Sequence, residues 1–278
     1  MTAEEEESPR AIPPRVLTER DGHILRIGLN RPDKRNAADL RMLTELAAAY
    51  GELDRDPELR VGLVYAVGDH FTGGLDLADV GPRLAREPGQ DSGPSLVFLP
   101  EGGVDPWAMS TPPVSKPVVV AVQGTCFTLG IELMLAADIA IAADSTKFGQ
   151  IEVARAIMPF GGATLRFPRA VGWGNAMRWM LTADTLDAAE ALRIGLVQEV
   201  VAHGTQLERA GQIASTIAAQ APLAVQATLA NARIAIDDGD EAAKAALPRA
   251  LAKLAASEDA QIGAQAFANR TTASYIGR

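Results

Sequence analysis

Residues 117–143 read PVVVAVQGTCFTLGIELMLAADIAIAA. Two short apolar runs, 117–123 and 139–143, flank an apolar helix that carries Glu132 near its start. Neither run alternates apolar with polar residues, the pattern of a strand covered on both faces. A third such run stands at 61–67 (VGLVYAV). Strands of this kind separated by helices predict an α/β architecture with buried, largely parallel pairing.

Working outward, residues 15–20 and 24–29 alternate apolar and polar around the Asp21-Gly22 turn signal, which predicts a β-hairpin. Leu40, Leu43, Leu46, Ala47 and Tyr50 recur at helical spacing, so a helix is expected from Ala38 to about Leu53. Periodicity fades between Val80 and Pro117, where Gly, Pro and Ser collect, and a long loop over 81–113 is expected with 105–107 (DPW) as a local anchor. Beyond Gly162 the chain reads as helices over roughly 163–182, 186–194, 206–220, 222–237, 240–256 and 258–268. The division expected is a disordered acidic tail over 1–14, an α/β core over 15–200 and a helical C-terminal region over 201–278.

The 278 residues are 47% hydrophobic and 22% charged, a globular balance, with a net charge of −9. The acidic sign and the lack of a basic stripe argue against nucleic-acid binding. No apolar run is long enough to span a bilayer, so no membrane partner is expected. The start, MTAEEEESPRAIPP, has neither the basic nor the apolar part of a secretory signal. With Cys126 as the one cysteine, no intramolecular disulfide forms, and a cytoplasmic setting is expected. Cys126 itself reads as a small buried apolar residue.

His23, His70 and His203 fall in no metal-ligand pattern, and no nucleophile elbow, P-loop or dinucleotide fingerprint occurs. No metal and no separate cofactor is expected. Two carboxylates remain. Glu132 lies among Ile131, Leu133, Met134 and Leu135, where an unpartnered charge is costly to bury. Glu152 ends 148–152 (FGQIE), just past the strand at 139–143. Two carboxyl groups facing one pocket can divide labour, one accepting a proton from water and the other giving one to carbon. Such chemistry needs a polarised electrophile, and backbone N–H groups can polarise it. Segments 71–77 (FTGGLDL) and 128–131 (TLGI) can present them, the second at a helix start and the first with Asp76 able to cap a following helix.

At this point the chain resembles the crotonase, or enoyl-CoA hydratase/isomerase, superfamily over about residues 15–270. The resemblance rests on 29–37 (LNRPDKRNA), 71–77, 121–138 (AVQGTCFTLGIELMLAAD), 148–152, 157–167 (IMPFGGATLRF) and 185–200 (TLDAAEALRIGLVQEV), in the family's order. It implies a spiral of repeated ββα units with a helical C-terminal region through which trimers or hexamers assemble. It implies an acyl-CoA substrate, with coenzyme A arriving as part of it. The implied oxyanion hole is the backbone N–H pair of Leu75 and Leu129. The implied substrate path runs by Arg31, Lys34, Arg35, Asn36, Gly73, Gly74, Asp76, Gly130 and Phe160. Glu132 and Glu152 match both hydratase glutamates, which implies hydration of an enoyl-CoA. Isomerisation, acyl-CoA hydrolysis, decarboxylation and a non-catalytic CoA-thioester binder remain alternative readings on this scaffold. The chain departs from the family in having one glycine, Gly130, just before Glu132, a bulky Phe160 after Pro159, and a long 81–113 loop. These departures bear on the substrate.

Overall fold

The computed structural model describes residues 13–84 and 99–278. The expected acidic tail lies outside these residues except for Pro13 and Pro14, as does the 85–98 part of the expected loop. The hairpin forms from β1 (Val16–Asp21) and β2 (Ile24–Leu29), joined through Gly22 and His23. Helix α1 (Leu40–Arg55) begins two residues later than predicted because Asp39 caps it, accepting the Met42 N–H at 2.8 Å.

Three further strands, β3 (Val61–Ala66), β4 (Val118–Val122) and β6 (Ile139–Ala143), add in parallel to β2. The short β9 (Glu199–Val201) completes a six-stranded sheet in the order β1-β2-β3-β4-β6-β9. The unbroken apolar runs are explained by cover on both faces. Val118, Val120 and Val122 point into the main core beside α1, and Val119 and Ala121 point the other way onto α7 (Gln206–Ala218). At roughly 25 cal/mol per Å² of apolar surface removed from water, burial on both faces stabilises these strands from two sides.

A second row of pairing runs beside the first. Strand β5 (Thr125–Phe127) pairs in parallel with β7 (Lys147–Gly149), and Thr72 bridges to Cys126, so Thr72, Cys126 and Phe148 form successive rungs. Each unit places one strand in the large sheet and one in the small sheet before turning into a helix. The helices are α2 (Leu77–Leu84) after Thr72 and α3 (Leu129–Ala136) after β5; a 3₁₀ turn, Glu152–Arg155, follows β7. This stepping is the repeated ββα spiral, and it brings the ends of successive units to one side.

Several expectations need correction. Helix α2 continues through Pro82 to Leu84, past the expected loop start. The single helix expected over 163–182 is two, α4 (Ala163–Val171) and α5 (Trp173–Thr182), broken at Gly172 with φ of 79°. Residues Thr185–Asp187 form a strand, β8, antiparallel to β7, so α6 (Ala188–Ile194) begins where Asp187 caps it. The C-terminal region is helical as expected: α7, then α8 (Pro222–Asp237), α9 (Asp240–Ala255) and α10 (Glu258–Asn269). Among the described residues no single helix is long and apolar enough to cross a membrane.

Candidate active site

The unit ends converge on a cavity of about 470 Å³. Lys34, Arg35, Gly73, Leu75 and Asp76 line one side, and Thr128, Leu129 and Glu132 line the start of α3. Glu152, Arg155, Ile157 and Phe160 come from beyond β7. Both predicted glutamates therefore open onto one space.

Glu132 stands in the first turn of α3 and is 2% exposed. Its Oε1 accepts the Gly161 N–H at 2.8 Å and the Ala163 N–H at 3.1 Å. Burial raises its pKa above the ordinary carboxylate value, opposed by these two amides and by the Arg166 guanidinium. The approach is possible because residue 161 has no side chain: a Cβ there would stand 2.5 Å from Glu132 Oε2.

Glu152 opens the 3₁₀ turn and is also buried. Its Oε1 accepts from Gln150 Nε2 at 2.7 Å, and its buried Oε2 has no partner among the described residues. Loss of water pushes its pKa up to about 7, with the charge on Glu132 adding to the rise and Gln150 and Arg155 opposing it. The two nearby carboxyls thus differ in surroundings, one bound by two amides and the other with a bare oxygen and a pKa pushed up to about 7.

The amides of Leu75 and Leu129 donate to no protein acceptor among the described residues. For Leu75 the cause is the bridge to Ala38, which takes the Gly74 carbonyl (2.8 Å) and the Asp76 N–H (2.9 Å) and leaves the intervening N–H on the other side. Leu129 is the first residue of α3, so its N–H has no intrahelical acceptor. The preceding Thr128 holds φ of 49° and ψ of −113°, a region a β-branched residue occupies only under constraint. Its Oγ1 packs over Gly74, whose φ is 102° and whose missing Cβ leaves the room.

Of the remaining predicted substrate-path residues, Arg31, Asn36, Gly74 and Gly130 do not line the cavity. Arg31 pairs with Asp76 at 2.7 Å and Asp39 at 3.6 Å. Asn36 is fully buried, and its amide nitrogen donates to the carbonyls of Val67 (2.9 Å) and His70 (2.8 Å). Gly130 packs under Thr72. Arg31 and Gly74 stand behind the lining residues Asp76 and Thr128, whereas Asn36 and Gly130 pack against Val67, His70 and Thr72, which do not line the cavity. Asp76 does both: it lines the cavity and caps α2, accepting the Ala78 N–H at 3.3 Å, with Arg31 holding its carboxyl below the usual range. The 105–107 anchor is also formed, since the Asp105 carboxylate accepts the N–H groups of Trp107, Met109 and Ser110.

Sequence reasoning missed Thr128, Ile151, Arg155 and Ile157 in the lining and Gln150 behind Glu152. Gln150 and Arg155 flank Glu152 within five residues, and that polar cluster in an apolar stretch was the available signal.

The profile of the enoyl-CoA hydratase/isomerase family matches residues 19–278. The chain belongs to that family. It is 31% identical over 267 residues to enoyl-CoA hydratase EchA19 of Mycobacterium tuberculosis, covering 95% of this chain and 97% of that one. The crystal structure of a probable enoyl-CoA hydratase/isomerase from Mycobacterium abscessus superposes with a TM-score of 0.89 at 55% identity, over 95% of this chain and 99% of that chain. An enoyl-CoA hydratase structure from Mycobacterium tuberculosis gives 0.85 at 34% identity, over 96% and 100%. The match spans the spiral core and the C-terminal helices alike, so the hydratase/isomerase fold accounts for the whole described chain, with the cavity at the ends of its ββα units.

Proposed function

We propose that this member of the family hydrates an enoyl-CoA thioester, with Glu132 and Glu152 as the acid/base pair. The observation that carries the reading is the pair itself: two buried carboxyls in one cavity, one oriented by two amides and the other with an unpartnered oxygen and a pKa near 7. The thioester oxygen lies between the N–H groups of Leu75 and Leu129, which draws electron density from Cβ. Ionised Glu132 takes a proton from water as its oxygen bonds to Cβ. The electron pair of the double bond moves onto the enolate oxygen. Protonated Glu152 then delivers its proton to Cα, and the carbonyl reforms. Lys34, Arg35 and Arg155 are the three cations of a lining that also holds Asp76, Glu132 and Glu152, and they are the groups that would meet the phosphates of coenzyme A. Phe160 and Ile157 form apolar walls for the acyl chain.

The test is incubation with crotonyl-CoA and with longer trans-enoyl-CoA thioesters, following loss of the conjugated thioester absorbance. Hydration of at least one chain length is expected, and none at any length contradicts the reading. The C-terminal helices are read as the self-association surface of a trimer or hexamer, supported by exposed Leu247, Leu251 and Phe267 on α9 and α10. Sedimentation giving a monomer at micromolar concentration would remove that part of the reading.

A further inference from the structure

Arg166, on the first turn of α4, lies outside the cavity lining, yet both of its hydrogen bonds go to the walls around Glu132. Its Nη2 donates to the Trp107 carbonyl at 2.7 Å and its Nη1 to the Gly161 carbonyl at 3.3 Å. Gly161 is the residue whose N–H orients Glu132. Trp107 is buried, and its indole Nε1 donates to the Leu129 carbonyl at 3.2 Å. Its ring would meet a Cβ on residue 161 at 3.2 Å, so the indole closes the space behind that turn. Gly162 leaves room for the guanidinium, which occupies the position a Cβ would take.

We propose that Arg166 is a positioning residue for Glu132: by gripping the Gly161 and Trp107 carbonyls it fixes the turn that aims the carboxylate and the loop that walls it, and it supplies the positive charge beside it. The inference rests on the reading of Glu132 as a base that works ionised. A buried carboxylate reaches that form only if its surroundings replace the lost water. The charged groups facing Glu132 are Arg166 and Glu152, and those facing Arg166 are also Asp105, Asp237 and Arg169. Arg166 is the one cation among the groups that act on Glu132. Asp105, 2% exposed, balances it from the 105–110 loop.

Three variants separate charge from hydrogen bonding. Arg166→Lys keeps the charge, Arg166→Gln keeps donors without charge, and Arg166→Met keeps neither. The direct readout is the titration midpoint of the Glu132 carboxyl in full-length protein labelled with ¹³C at glutamate Cδ, assigned by its loss in Glu132→Gln. The midpoint is expected to move up in Arg166→Gln and Arg166→Met and to stay near the parent value in Arg166→Lys. In parallel, kcat/KM for a hydrated enoyl-CoA on the acid side of the profile should fall further in Arg166→Gln than in Arg166→Lys, by up to about tenfold for each pH unit the midpoint moves. If Arg166→Met does not fold, the Lys and Gln variants carry the comparison. A midpoint that is the same in all folded variants overturns the proposal. If the parent hydrates no enoyl-CoA while the midpoint still moves, Arg166 positions Glu132 and the hydration reading falls instead.

Discussion

Glu152 is a carboxylic acid stripped of water, held at one oxygen by Gln150 and left bare at the other. Its folded pKa near 7 lies above the ordinary 4.5, so the folded state holds a proton that the unfolded state releases. The contribution of Glu152 to stability is then present below about pH 4.5 and is lost as pH rises toward 7. Glu152→Gln, which keeps the shape without the charge, should raise the unfolding free energy at pH 8 by up to about 3 kcal/mol. At pH 4 the two proteins should unfold alike, and urea denaturation at both pH values checks this. The same proton predicts that hydration weakens above about pH 7 as the acid is lost, and weakens at low pH as Glu132 is protonated, a bell-shaped kcat/KM profile. Thr128 gives a second stabilising prediction, from backbone strain in place of charge. Its positive φ is held by the surroundings, so Thr128→Gly should stabilise the chain by about 1 kcal/mol after the entropy cost of glycine, read from the same denaturation curves. Glu132 was legible in the sequence because a charge among four apolar neighbours demands partners. Trp107 and Arg166 were not, since Trp107 meets Leu129 and Arg166 meets Trp107 across long stretches of chain, whereas Gln150, two residues from Glu152, was a local signal left unread.

The site depends on how elements are joined. Arg31 and Asp39 tie the turn carrying Lys34 and Arg35 to the starts of α1 and α2, because Asp39 caps α1 and Asp76 caps α2. Asp39→Ala removes a buried cap and two ion-pair partners, Arg15 and Arg31, and should cost about 2–3 kcal/mol in thermal or chemical denaturation. Gly74→Ala drives a Cβ into Thr128 at a φ of 102° and should cost about 2–4 kcal/mol while separating the segments that present the Leu75 and Leu129 amides. Long helices and doubly buried strands were readable from periodicity and from unbroken apolar runs. Strands β5, β7 and β8 were not, because three residues cannot display alternation and only their neighbours make them strands. The break at Gly172 escaped for a related reason: apolar spacing continues across it while the backbone turns.

At the scale of the molecule, the net charge is −9, and the cavity lining sets Lys34, Arg35 and Arg155 beside Asp76, Glu132 and Glu152. Attraction of an anionic coenzyme A ester to those three cations is screened by salt, so KM should rise with ionic strength while kcat changes little. Steady-state kinetics from low salt to physiological salt checks this. The α/β class and the helical C-terminal region followed from the sequence because a spiral of repeated units rests on local patterns, whereas the cavity is made where separate turns of the spiral meet. Hydration requires both glutamates to act on one substrate. The most direct test of that requirement is the hydration rate of Glu132→Gln and Glu152→Gln, each confirmed to fold and to bind the CoA thioester. The predicted result is a loss of roughly 100- to 10,000-fold in kcat for each. Full turnover in both variants would contradict it.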